Sequence, residues 1–345
     1  MLKNITIHDI AKKLEISAGT VSRALSDSAL VKKETKDKIL QAANELGYRY
    51  NAIAGNLRKQ NSQTIGILLH EVNSHFVTSV LAGIEKVASA EKYDMLIAHS
   101  GEEYQREVGN AKNLFSKRVA GLITSLALNT KDIAHFEPFF EHNIPVVFFD
   151  RVINNTDCTK VVIDNFQSGY TAAKHLIQQG CTRIAHITSN LTRNVYFDRF
   201  EGYKKALDEA GLKFHKNLLG ICRLLNREEV KTVVAYLLKQ KPDAFFITND
   251  LAAAVCIDSL HKEGIRVPQD IAVFGFNNDV VGRLITPKLS TINYPGTTMG
   301  EIAARELIKQ LKIQDRQGKI THKTIIVPSE IIIRESSLKT NQLPL

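Results

Sequence analysis

Residues 17–23 read SAGTVSR, a set of side chains suited to contacting a nucleic acid rather than to catalysis. The Arg23 guanidinium can donate two hydrogen bonds to O6 and N7 of a guanine, and the Ser17, Thr20 and Ser22 hydroxyls can bond phosphate oxygens or base edges. Ala18 and Gly19 between them offer only close approach or a methyl contact. Reaction chemistry lacks its parts: the chain has no G-x-x-x-x-G-K-[ST], no G-x-S-x-G and no H-E-x-x-H, so phosphate-loop, hydrolase and zinc-protease readings are unsupported. Cys158, Cys181, Cys222 and Cys256 are scattered without a CxxC pair, which predicts core thiols and neither a metal site nor a disulfide framework. No catalytic residue, cofactor or metal is expected.

A short helical head must present the SAGTVSR residues. Thr6-Ile7-His8-Asp9 has the [ST]-x-x-[DE] form of a helix start, and Ile7, Ile10, Ala11 and Leu14 follow at helical spacing, predicting a first helix of about two turns. Ser17 can cap a second helix over 18–25, with Val21, Ala24 and Leu25 inward and Ala18, Gly19, Thr20, Ser22 and Arg23 on the exposed face. A third helix from about Lys33 is expected to turn Ile39, Leu40, Ala43 and Leu46 inward and to stop at Gly47. This is the spacing of a helix-turn-helix, and a generic three-helix packing unit satisfies it too. Charge leans the same way. The net charge is +9, and residues 1–60 hold 11 Lys and Arg against 6 Asp and Glu, whereas the rest holds 34 against 30. A small basic head on a near-neutral body is the footprint of a nucleic-acid binder, although a solubilising surface would give the same numbers.

At 345 residues, 44% of them hydrophobic, the chain is long enough for two or three compact units with a sizeable core. No apolar run approaches the roughly 20 residues of a membrane span, and MLKNITIHDI lacks the features of a signal peptide, so a cytoplasmic protein is expected. From Thr64 onward, short apolar strands alternate with amphipathic helices. TIGILL, DMLIAH, VAGLITS and IPVVFFD read as a first set of strands, and KVVID, RIAHITS, LLGICR, AFFIT and IAVFGF as a second. Alternation of this kind predicts α/β subdomains with doubly wound parallel sheets, and ligand chemistry at the carboxyl ends of the strands and in the cleft between the subdomains.

The run TIHDIAKKLEISAGTVSRALSDSALVKKETKDKILQAANELGYRYNAIAGNLRKQNSQTIGIL resembles the head of the lactose-repressor/galactose-repressor family of bacterial transcriptional regulators. The likeness is carried by Thr20-Val21-Ser22-Arg23, Leu46-Gly47-Tyr48, Asn51, Ala54 and Leu57-Arg58. It continues through Asp150-Arg151, Asp164-Asn165, Arg199-Phe200-Glu201-Gly202-Tyr203, Thr248-Asn249-Asp250 and Thr286-Pro287-Lys288-Leu289-Ser290-Thr291-Ile292, and so covers nearly the whole chain. The resemblance implies a helix-turn-helix head over 1–50, a hinge over 51–62 and an effector-binding, dimerising core over 63–338 built like periplasmic binding proteins, followed by a tail over 339–345. It implies one lobe from about 63–162 plus 292–322 and another from 163–291 plus 323–338.

By position in that family, Thr6, Ser17, Thr20, Ser22, Thr35 and Tyr48 would contact DNA beside Arg23, Ala18 and Gly19, which face the bases. Asn51, Ala54 and Leu57 would form the hinge, with Leu57 as a wedge in the minor groove. The cleft positions fall on His70, Phe76, Asp150, Arg199, Asn249, Asn277 and Tyr294, a set suited to a sugar or sugar derivative through hydroxyl bonds and an apolar ring face. Ala18 and Gly19 depart from relatives with long polar side chains there. Asn277 stands where many relatives have Asp, and Tyr50 where many have Pro. In the hinge, Gly55 costs about 1 kcal/mol relative to Ala in a helix, so this segment is expected to fold only when two copies meet on DNA.

The expected partners are therefore double-stranded operator DNA, a sugar-like effector and a second copy of the chain, with no membrane. The end, IIIRESSLKTNQLPL, has no leucine heptad, so a dimer is the simplest assembly. A solute-binding sensor without DNA function and an enzyme of sugar metabolism are the competing readings. The basic head disfavours the first and the missing reaction motifs the second.

Overall fold

The computed structural model describes residues 5–25, 28–48, 62–154 and 156–339. The expected hinge residues Tyr50, Asn51, Ala54, Gly55 and Leu57 lie outside them. The chain divides into two compact units, Met1–Gln63 and Thr64–Leu345.

The first unit holds α1 (Ile7–Lys13), α2 (Ala18–Leu25) and α3 (Lys33–Glu45). The start of α1 is fixed as its sequence predicts: the Asp9 carboxylate accepts from the Thr6 N–H at 2.8 Å and from the Thr6 hydroxyl at 2.7 Å. Helix α2 starts on Ser17, whose Oγ accepts from the Thr20 N–H at 3.1 Å. Helix α3 ends where Gly47 takes a φ of +68°, letting the Tyr48 N–H reach back to the Ala43 carbonyl at 2.8 Å. Ile10, Val21, Ala24, Ile39, Ala42 and Ala43 bury against one another. One inward assignment fails: Leu40 is 52% exposed. Ile39, with Ala42 and Ala43 three and four residues on, defines the buried stripe of α3, and position 40 lies a further 100° round the helix from it.

The second unit alternates strand and helix throughout: β1 (Thr64–Leu69), α4 (His75–Ala90), β2 (Asp94–His99), α5 (Tyr104–Ser116), β3 (Leu122–Thr124), α6 (Glu137–Glu141), β4 (Val146–Phe149), β5 (Thr159–Val162), α7 (Asn165–Gln178), β6 (Ile184–Thr188), α8 (Asn194–Glu209), β7 (Leu219–Ile221), α9 (Arg227–Leu238), β8 (Ala244–Ile247), α10 (Asp250–Lys262), β9 (Ala272–Phe274), α11 (Val281–Leu284), β10 (Thr291–Asn293), α12 (Gly296–Asp315), β11 (Thr324–Ile326) and β12 (Glu330–Ile332). They make a six-stranded sheet of order β11-β5-β4-β3-β1-β2 and a four-stranded sheet of order β7-β6-β8-β9, both parallel. Strands β10 and β12 pair antiparallel. Each sheet is the floor of one lobe, and both faces of each are apolar: along β1, Ile65, Ile67 and Leu69 face one core cluster and Leu68 the other.

Two expectations about connectivity are corrected. The KVVID strand does not open the second set, because β5 pairs with β4 (Val147 opposite Thr159) in the first sheet. The chain also does not return to the second lobe at 323. Thr324–Ile326 adds a further strand beside β5, with Ile325 opposite Val161, and only then does the chain turn back.

A helix pair in each lobe packs backbone against backbone. A Cβ on Gly300 would stand 2.0 Å from the Val80 carbonyl oxygen and one on Gly83 2.1 Å from that of Thr297, joining α4 to α12. Gly169 and Gly202 do the same for α7 and α8. These pairs fix Phe76 and Asn165 at helix starts, and Arg199 one turn inside α8, at the edge of the cleft.

Candidate functional site

In the head, Gly19 and Arg23 are exposed on the outer face of α2, and Thr20 and Ser22 are half-buried beside them. The Arg23 Nε–H donates to the Gly19 carbonyl at 3.2 Å, and the Ser17 and Thr20 hydroxyls are bonded at 2.9 Å. Ala18 instead packs partly on the head core, as does Tyr48. Thr6 and Ser17 are exposed and Thr35 is half-buried. A cation and a row of hydroxyls thus stand on one surface, the arrangement needed to hold phosphates and reach a base edge.

Between the lobes, most of the expected cleft residues meet directly. Phe76 stacks on Tyr294 with ring centroids 4.1 Å apart, and the Tyr294 hydroxyl donates to the Asp150 carboxylate. Arg199 lies over the same group, its guanidinium carbon 5.4 Å from the Tyr294 ring centroid and 3.6 Å from that of Phe276. Its Nε–H donates to Asn165 Oδ1 at 2.8 Å and its Nη1 to the Thr248 carbonyl at 3.4 Å. Nη2 has no protein acceptor among the described residues. Asp150 and Arg199 are 4% and 3% exposed, so their charges act in a low-dielectric site where an added hydrogen bond counts for more than in water. Burial pushes the Asp150 carboxyl above its ordinary range, while Arg151, the Tyr294 hydroxyl and Arg199 oppose the rise.

The other three positions are bonded to other partners. His70 Nδ1 is bonded to the Ser125 hydroxyl at 2.9 Å. Burial, and then the Arg151 charge, hold its imidazole well below the usual histidine range, so it is neutral. Asn249 spends its side-chain oxygen capping α10, accepting from the Ala252 N–H at 3.0 Å, and keeps its amide nitrogen. Asn277 sits at a φ of +116° and donates its N–H to the Ile292 carbonyl at 3.0 Å, next to the β10 crossing.

Four residues outside the expected set support the site. Asn165 and Phe276 hold Arg199. Glu102 fixes Arg151, whose Nη1 donates to both carboxylate oxygens at 2.7 Å. Asp250, fully buried, accepts from the Thr291 hydroxyl at 2.8 Å and the Asp279 N–H at 2.7 Å, and so shapes the loop that carries Phe276 and Asn277. Asn165, Asp250 and Phe276 lie beside or within the DN, TND and GFNND runs, where a reading by neighbours would find them. Glu102 carries no such signal.

Among the described residues there is no helix long and apolar enough to cross a membrane and no His, Cys, Asp and Glu group that could hold a metal. Residues 6–51 match the profile of the bacterial regulatory proteins of the lacI family, and residues 173–337 that of a periplasmic binding protein-like domain. The HTH-type transcriptional regulator RegA of Clostridium saccharobutylicum is 31% identical over 335 residues, covering 96% of this chain and 99% of its own. The ribose operon repressor of Halalkalibacterium halodurans is 30% identical over 334 residues, covering 96% and 97%. The crystal structure of the lac repressor dimer bound to operator and the anti-inducer ONPF matches with a TM-score of 0.85 at 22% identity, over 97% of this chain and 100% of that one, a likeness of fold. With a helix-turn-helix head, a two-lobed binding-protein core and these relatives, the chain belongs to the lacI family of bacterial regulatory proteins and is a DNA-binding transcriptional regulator, not an enzyme.

Proposed function

We propose that the chain is a dimeric repressor whose operator affinity is set by a small sugar-like effector bound between its two lobes. The observation that carries the reading is the buried Asp150–Tyr294–Arg199 group, which puts a carboxylate, a phenol and a cation with an open donor on one apolar aromatic wall. A carboxylate and a guanidinium can each bridge adjacent hydroxyls, and an aromatic face suits the C–H side of a sugar ring. The name of the ribose operon repressor among its relatives supports the same chemical class. His70, Asn249 and Asn277 supply further neutral donors and acceptors at the rim.

At the other end, Arg23 reads a base edge while Thr6, Ser17, Thr20, Ser22, Thr35 and Tyr48 position the head on phosphates, with Ala18 and Gly19 permitting close approach. Asn51, Ala54 and Leu57, which lie outside the described residues, are proposed as further DNA contacts, in the minor groove; the support for this is their sequence. Two heads related by a two-fold axis read a near-palindromic site. The test is a thermal-shift screen of the full chain against monosaccharides, disaccharides, sugar acids, sugar phosphates and nucleobases, because a cleft ligand stabilises the folded state by mass action. Stabilisation by a sugar that also alters operator binding supports the reading. Stabilisation by nucleobases alone overturns the sugar class.

A further inference from the structure

The end of β4 turns sharply. Asp150 has a φ of +57°, in the left-handed region that costs a residue with a Cβ about 1 kcal/mol or more. Its own N–H stays on the ladder, donating to the Val161 carbonyl at 3.0 Å, and the Leu126 N–H reaches the Arg151 carbonyl at 3.2 Å. The Asp150 carbonyl and the Val152 N–H, backbone groups of the same turn that are taken out of water, require partners as well.

Both partners come from one side chain of the other lobe. Asn194, the first residue of α8, donates from Nδ2 to the Asp150 carbonyl at 3.0 Å and accepts the Val152 N–H on Oδ1 at 3.0 Å. A side-chain amide carries a donor and an acceptor side by side, so one residue satisfies both groups. The neighbours of Asn194 cross the same seam: Asn190 Nδ2 donates to the Leu128 carbonyl at 3.3 Å, Arg193 Nη2 to the Thr130 carbonyl, and Arg151 Nη2 to the Tyr196 hydroxyl at 3.2 Å.

We infer that Asn194 is a positioning residue that clasps the Asp150–Val152 turn from across the cleft, holding Asp150 in its left-handed conformation and the two lobes together. With its carbonyl gripped by Asn194 and its carboxylate by Tyr294, Asp150 presents to the cleft in one orientation. Lobe opening withdraws Asn194 and releases the turn, so closure and the geometry of Asp150 change together. The inference rests on the reading of Asp150 as an effector ligand.

Its test needs neither effector nor DNA, so it fails or succeeds separately from that reading. Residue-resolved hydrogen exchange of the full chain without ligand compares the Val152 amide, bonded across the lobes, with the Asp150 amide, bonded within one. In the wild type both amides are expected to be protected. In Asn194→Ala the Val152 amide is expected to exchange at least about tenfold faster while that of Asp150 stays protected. An unprotected Val152 amide in the wild type would overturn the clasp, as would unchanged Val152 protection in the variant. Equal acceleration of both amides would also overturn it, by showing general support of the strand.

Discussion

Asp250 should make the protein less stable as the pH rises from 4 to 7, against the usual trend for a carboxylate in a hydrogen-bonded site. Burial pushes its pKa up to about 6 from an ordinary 3.8, outweighing the Thr291 hydroxyl and the Asp279 N–H that favour the ionised form. A carboxyl group whose folded pKa is raised contributes stability that is complete below the unfolded pKa and is lost as the pH rises through the folded one. Here the window runs from about pH 4 to about pH 6, and at roughly 1.4 kcal/mol per unit the loss is about 3 kcal/mol. The group is fully buried, so solvent screening takes little from that figure. Asp250→Asn keeps the size and removes the titration, at the cost of turning one acceptor into a donor opposite its N–H partners. Denaturant unfolding of both proteins at pH 4 and pH 7 is the assay, since other titrating groups cancel in the difference. The stability of the wild type relative to the variant should be greater at pH 4 than at pH 7 by about 3 kcal/mol. A difference that stays constant with pH would refute the burial argument.

Four further substitutions have definite expected outcomes. Gly300→Ala, whose Cβ would meet the Val80 carbonyl oxygen at 2.0 Å, must part α4 from α12 and should destabilise the chain by about 2 kcal/mol or more; Gly109→Ala in α5, with nothing within 4 Å, should stabilise by about 0.5–1 kcal/mol, both read from melting curves. Arg199→Lys loses the Nε–H bond to Asn165 and the flat stack on Phe276, so calorimetry with a sugar that stabilises the wild type should show affinity about 10- to 100-fold weaker, with effector-free operator binding unchanged. Arg23→Ala should cost about 1–3 kcal/mol at one operator position and relax selectivity there, as measured on point-substituted operators, with little change in the salt slope.

Local periodicity made the head and most strands legible. The Thr6–Asp9 box and the Ser17 cap are local signals, and both form. Leu40 reads as inward from sequence because an apolar residue next to a helical stripe looks like part of it, and only the packing of Ile39, Ala42 and Ala43 sets the stripe's centre. Sequence pattern groups KVVID with the second set of strands, and the family bounds give Thr324–Ile326 to the second lobe; both lie in the first sheet, because sheet membership is a matter of pairing, which a short strand does not announce. At the cleft, the family positions led to Phe76, Asp150, Arg199 and Tyr294, which the fold brings into contact. Their supports were harder to find. Asn165 and Glu102 act through side-chain partners 34 and 49 residues away, and no spacing rule reaches that far.

Coupling of a small ligand to an operator within one chain is open to direct measurement. Its most direct test is fluorescence anisotropy of the purified full chain on near-palindromic DNA, with and without the sugar that stabilises it in the thermal screen. Binding should be salt-sensitive and sequence-selective, with a midpoint that shifts at least about fivefold when the sugar is added, the lower end of ordinary allosteric coupling. Sequence-independent binding, or an identical midpoint at saturating sugar, would contradict it.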